Sequence, residues 1–167
     1  AVYVNNLMED TKDMFIEKNE DFVNLVNGIV SPGGANYELP ADIQVELRPY
    51  QVTGYKWLRT LANNGLGGIL ADDMGLGKTL QTIEYVTACI AEEIKAVQEG
   101  KSDEKKPFLI VCPTSLVYNW QDEFHNFAPH VKTIVVSGAP EVRKELIESY
   151  VDNDVIITSY PLIRRDI

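Results

Sequence analysis

The chain is short of positive charge, of cysteine and of long apolar runs. Against 25 Asp and Glu it sets only 15 Lys and Arg, a formal net charge of −10 over 167 residues. That balance excludes a free-standing binder that holds nucleic acid by cations alone, because such affinity comes mostly from Lys and Arg against phosphates. Contacts through backbone N–H groups and hydroxyls remain open to it. Two cysteines, Cys89 and Cys112, are too few for a disulfide framework. Cys89 falls in a helical pattern and Cys112 ends an apolar run, so both are expected to be reduced residues of an intracellular protein. No apolar run approaches the roughly 18 residues of a membrane span, and no signal-peptide pattern opens the chain. Its first residue is Ala1 rather than Met, which fits an excised or processed piece.

What is present describes a folded domain. Hydrophobic residues make up 45% of the chain, well away from disorder. Phe15, Phe22, Leu25, Val26 and Ile29 recur at helical spacing and predict a helix from about Thr11 to Ile29. Ser31-Pro32-Gly33-Gly34-Ala35-Asn36 reads as a linker. Residues 1–38 are accordingly expected to form a helical accessory segment, and 39–167 the main domain. A helix is expected from Pro49 to Asn63, with Pro49 at its first position and Asn64-Gly65 as its stop. Gly68 to Ala71 reads as a short strand. Leu80, Ile83, Val86, Ile90, Ile94 and Val97 predict a long helix from about Thr79 to Glu99. Phe108–Cys112 is a continuous apolar run, as expected of a strand covered on both faces. Helices containing Leu116, Trp120 and Phe124, then Val142 and Leu146, alternate with strands at Thr133–Ser137 and Val155–Thr158. Strand and helix alternate throughout, which predicts a three-layer α/β fold, a parallel sheet with helices on both faces.

The stretch most specific for chemistry is Ala71-Asp72-Asp73-Met74-Gly75-Leu76-Gly77-Lys78-Thr79. A strand, a glycine-containing turn, Gly-Lys-Thr and a helix together form a device for holding nucleotide phosphates. Glycines let backbone N–H groups approach the oxygens, and the helix N-terminus adds partial positive charge. The lysine reaches the outer phosphates, and the threonine hydroxyl ligates the bridging magnesium. One position departs from the general pattern. Glycine is expected six residues before the lysine, where this chain has Asp72. A carboxylate there is tolerable if it points away from the phosphates or is paired.

Several segments, in order, resemble the SWI/SNF-type helicase-like ATPases of the second helicase superfamily, which share paired RecA-like lobes. Leu47-Arg48-Pro49-Tyr50-Gln51, with Gly54 and Trp57-Leu58, resembles their adenine-recognition segment. Leu70 to Ile83 resembles their phosphate loop, with an acidic residue where Asp72 stands. Pro113-Thr114-Ser115-Leu116 with Asn119-Trp120, and later Ile157-Thr158-Ser159-Tyr160, resemble the two motifs that follow. The resemblance covers roughly Leu39 to Ile167 and implies a partial RecA-like, P-loop lobe that binds ATP and Mg²⁺. It implies that Gln51 reads adenine, that Asp72, Asp73, Met74, Gly75, Leu76, Gly77, Lys78 and Thr79 form the phosphate cradle, and that Lys78 is the catalytic cation. Thr79 would hold the metal. Thr114, Ser115, Thr158 and Ser159 would touch the nucleic-acid backbone. Simpler readings stand beside these: a solvent-facing Gln51, helix-capping hydroxyls at Thr114 or Ser115, a plain strand end at Thr158 and Ser159, and a core role for Trp120.

Asp122-Glu123-Phe124-His125 spells the Asp-Glu-x-His signature of helicase ATPases but falls inside a helical pattern, so it is read as helix surface. The functional acidic motif is expected beyond Ile167, with the second lobe and its arginine finger. Residues 1–167 are therefore expected to bind nucleotide and to hydrolyse it negligibly. The parent is expected to be an ATP-dependent double-stranded DNA translocase, cytoplasmic (nucleoid-associated) or nuclear, that remodels protein–DNA complexes or the transcription machinery, without a membrane partner. An RNA helicase of the same superfamily and a non-hydrolysing, nucleotide-gated interaction module are the alternatives.

Overall fold

Apolar runs pair as strands only where a neighbour supplies backbone partners, and three do so in the computed structural model. The described residues are 19–30, 37–40, 43, 45–102 and 105–166. The expected linker at residues 31–36, and residues 11–18 of the first expected helix, lie outside them. The elements are α1 (Glu20–Val30), α2 (Pro49–Asn63), α3 (Lys78–Gln98), β1 (Phe108–Cys112), a 3-10 turn (Thr114–Leu116), α4 (Val117–Phe127), β2 (Thr133–Val135), α5 (Pro140–Glu148), a second 3-10 turn (Tyr150–Asp152), β3 (Val155–Ser159) and α6 (Tyr160–Asp166). No helix among the described residues is long and apolar enough to cross a membrane. The chain divides into two compact units, Ala1–Leu39 with Leu47–Gln81, and Pro40–Glu46 with Thr82–Ile167.

The second unit is an α/β layer structure around a parallel sheet in the order β1-β3-β2. Phe108 lies opposite Val155 on one side and Thr133 opposite Val155 on the other. The last strand in sequence is thus the central one, and both its faces are covered: Val155 and Ile157 are fully buried, and Thr158 is buried on the opposite face. Ile83, Val86 and Ile90 of α3 join Cys112, Val117, Phe124, Val155 and Ile157 in one core. Trp120 packs against that core and lies 6.4 Å from the Phe124 ring, so it is a packing residue. Asp122–His125 sits within α4, as its helical pattern requires. Neither Cys89 nor Cys112 forms a disulfide among the described residues. Asp154, which precedes β3, accepts from Lys132 N at 2.6 Å and pairs with Lys105. It fastens the starts of the strands.

In the first unit α1 packs on α2. Val26 is buried, and a Cβ on Gly28 would stand 2.6 Å from the Thr60 methyl, so glycine permits the close approach. Tyr55 is buried and donates to Glu38 O at 2.7 Å. The Arg59 guanidinium lies 5.3 Å over the Tyr37 ring. Gly65, at φ 65°, follows the end of α2 as its stop signal requires.

One expected strand does not form. Gly68–Ala71 has no ladder partner among the described residues and carries no strand. Ile69 is 85% exposed. Apolar composition alone does not make a strand: without ladder hydrogen bonds among the described residues, this stretch is an irregular connection. The strand expected over Thr133–Ser137 pairs only to Val135, and Val136 N then bonds Ile157 O.

A candidate nucleotide site at the start of the long helix

The turn before α3 has the backbone that a phosphate cradle needs. Gly75 and Gly77 take φ of 85° and 74°, a region that strongly favours glycine. The first helical bond of α3 runs from Gln81 N to Gly77 O at 3.1 Å. The N–H groups of the preceding turn therefore lie outside the helical ladder, at the positive end of a 21-residue helix. A Cβ on Gly77 would stand 2.4 Å from Gln51 Nε2, so the turn is also closed to side chains on that flank.

Lys78 folds back over its own loop. Its ammonium donates to Asp72 O at 2.7 Å and to Asp73 O at 2.9 Å. Asp73 is exposed and Met74 is 97% exposed, while Leu76, Gly77, Lys78 and Thr79 are half-buried. The acidic residue that looked anomalous in sequence is paired. Asp72 Oδ2 accepts from Gln81 Nε2 at 3.1 Å, so one carboxylate oxygen is engaged by a neutral amide.

Gln51 is buried rather than solvent-facing. Its Oε1 accepts from Arg48 N at 2.9 Å and its Nε2 donates to Leu76 O at 3.2 Å. One amide thereby caps α2 and ties it to the candidate phosphate loop. Beside it a cleft of about 420 Å³ is lined by Tyr50, Gly54, Trp57, Leu70, Asp72 and Leu76. These residues give it two aromatic walls and one acidic edge.

The hydroxyls expected to meet nucleic acid divide in two. Thr114 and Ser115 are exposed, and neither caps a helix: Pro113 and Leu116 hold the cap positions, without side-chain bonds. Thr158 and Ser159 are buried at 6% and 1% exposure. Thr158 Oγ1 donates to Val136 O at 3.1 Å, so that hydroxyl serves the sheet. Ser159 Oγ has no partner.

Residues 50–167 match the SNF2-related domain family. The chain belongs to that family. Over 154 residues the SNF2-related chain is 40% identical to the TATA-binding protein-associated factor MOT1 of Saccharomyces cerevisiae, covering 90% of this chain and 8% of that protein. It is 41% identical over 132 residues to the ISWI chromatin-remodeling complex ATPase ISW1 of the same yeast, covering 77% of this chain and 11% of that protein. Among solved structures it is similar to the Sulfolobus solfataricus SWI2/SNF2 ATPase core in complex with dsDNA, with TM-score 0.61 and 39% identity over 78% of this chain and 25% of that one. The fold is thus that of part of a RecA-like SNF2 core, and the chain spans about a tenth of these curated relatives.

Gly54 and Gln81 fall within the matched motifs, but sequence reasoning gave neither of them a role of its own. Gln81 lies on the buried face of α3 between Leu80 and Ile83, and a buried amide demands a partner. The unexplained carboxylate at Asp72 demands a donor. Joining those two anomalies would have found the pair.

Proposed function

We propose that residues 39–167 are the front part of the ATP-binding lobe of an ATP-dependent double-stranded DNA translocase that remodels protein–DNA complexes, with residues 1–38 as an accessory segment. The observation that carries this reading is the turn from Asp72 to Thr79. Two left-handed glycines lead there into the N-terminus of α3, with the Lys78 ammonium already over the loop.

The residues present fit ATP and Mg²⁺. The turn offers N–H groups, one ammonium and one hydroxyl, which suits a triphosphate. Among the described residues no cluster of His, Cys, Asp or Glu is built to hold a metal by itself, so Mg²⁺ would come with the triphosphate and be held by Thr79. The bound triphosphate and its metal supply the scissile bond and the charge neutralisation. Lys78 would exchange the carbonyls of Asp72 and Asp73 for phosphate oxygens, a stronger charge-assisted bond. Adenine would take over one of the two bonds that Gln51 makes in the free chain.

The exposed Thr114 and Ser115 would give neutral, sequence-independent bonds to DNA phosphates. Thr158 and Ser159, buried at the end of β3, would support that strand end rather than meet DNA directly. An acidic chain that contacts DNA through hydroxyls accords with its net charge of −10. A relative solved with dsDNA supports duplex DNA over RNA as the polymer.

None of the three described strands ends in an acidic pair, and no arginine finger is assigned. Residues 1–167 are therefore proposed to bind ATP and to turn it over negligibly; an arginine finger alone is worth about 10³–10⁵ in rate. A phosphate-release assay on residues 1–167, with and without duplex DNA, tests this. Background turnover in both is expected, and DNA-stimulated hydrolysis would refute it. For the full-length parent, duplex DNA is expected to stimulate hydrolysis more than RNA does.

A further inference from the structure

Gln81 is fully buried, on the first turns of α3. Its Nε2 donates to Asp72 Oδ2 at 3.1 Å and reaches Leu76 O at 3.4 Å. Leu76 O is the same atom that accepts from Gln51. Asp72 is held at two points, its carboxylate by Gln81 and its carbonyl by Lys78. Gln81 Oε1 has no hydrogen-bond partner. It lies where a Cβ on Gly54 would stand 1.9 Å away. Gly54 of α2 is therefore the notch into which the amide fits. A buried amide with one orphaned end is expensive to keep, and its other end spans the loop from Asp72 to Leu76.

We infer that Gln81 is a positioning residue for the phosphate loop. By holding the Asp72 carboxylate and Leu76 O, it presets the turn before ligand arrives and keeps negative charge off the phosphate face, with Gly54 as its socket. The consequence for nucleotide rests on the ATP reading above. The preset loop itself does not.

Gln81→Glu sets a second carboxylate against Asp72. Adding Asp72→Asn to that variant restores a donor–acceptor pair with the roles exchanged. Gln81→Ala removes the whole amide without adding charge and serves if the charged variant folds poorly. Two readouts are taken on residues 1–167: amide hydrogen exchange over Met74–Thr79, with β3 as the internal control, and titration of a fluorescent ATP analogue with Mg²⁺.

Exchange across Met74–Thr79 is expected to rise about tenfold in Gln81→Glu, and by less in Gln81→Ala, with β3 unchanged. Nucleotide affinity is expected to fall about tenfold and to recover most of that loss in the double variant, as coupled partners do. Loop exchange at the wild-type rate in both single variants, or a double variant no better than Gln81→Glu, would overturn the inference. Failure of the ATP reading is distinguishable: the wild-type chain would then show no titration, while the exchange measurement would still decide the role of Gln81.

Discussion

Gln51 Nε2 donates to the carbonyl oxygen of Leu76 across 25 positions of sequence, at 3.2 Å. Its other end accepts from Arg48 N. One side chain thus joins the start of α2 to the turn before α3. Gln51→Ala removes both bonds, worth about 1 kcal/mol each. A drop of about 2 kcal/mol in unfolding free energy, read by urea denaturation, is expected. In titrations, the preference for ATP over GTP is expected to disappear.

Gly77 carries a second prediction. At φ 74° a side chain is strained, and a Cβ there would drive the Gln51 amide off Leu76. Gly77→Ala is expected to weaken ATP binding by at least about tenfold, through backbone strain and displacement of Gln51 together. The near-ultraviolet circular dichroism of the core aromatics should stay unchanged.

Thr114 and Ser115 are exposed and cap nothing, so replacing them should not cost stability. The Thr114→Ala, Ser115→Ala pair in the full-length parent is expected to reduce duplex-DNA affinity by about fivefold per hydroxyl bond lost. The melting temperature of residues 1–167 should be unchanged. A loss of stability without a loss of DNA affinity would return these residues to a structural role.

Glu84 of α3 is buried, with Oε2 unpartnered, and burial pushes its pKa up to about 7 from the ordinary 4.5. The folded state then binds a proton that the unfolded state has released. Stability is full below about pH 4.5, falls as pH rises through about 7, and is flat above that, with an upper limit of about 3 kcal/mol. Glu84→Gln removes the titrating charge. It is expected to flatten that slope in denaturation curves between pH 5 and 8, and to be more stable than wild type at pH 8.

The parts of the fold legible in the sequence are those whose signals are local. Phe108–Cys112 forms a strand over the residues its apolar run marks, and Pro49 and Gly65 bracket α2 as their backbone preferences dictate. The left-handed turn before α3 is legible because Gly75 and Gly77 both take positive φ there, as the glycine pattern before Lys78 requires. The remainder depends on partners distant in sequence. Gly68–Ala71 reads as a strand, but its pairing is decided by a neighbouring backbone that periodicity does not encode. The burial of Thr158 follows from β3 lying between β1 and β2, an order that no single segment reveals. Asp72 looks misplaced until Gln81, nine residues on, is found beside it.

The central claim is that the turn before α3 grips a triphosphate through Lys78, and titration of ATP·Mg²⁺ against wild type and Lys78→Ala tests it most directly. Loss of one charge-assisted partner is expected to weaken affinity by at least about tenfold. Equal affinity in the two proteins would contradict the account.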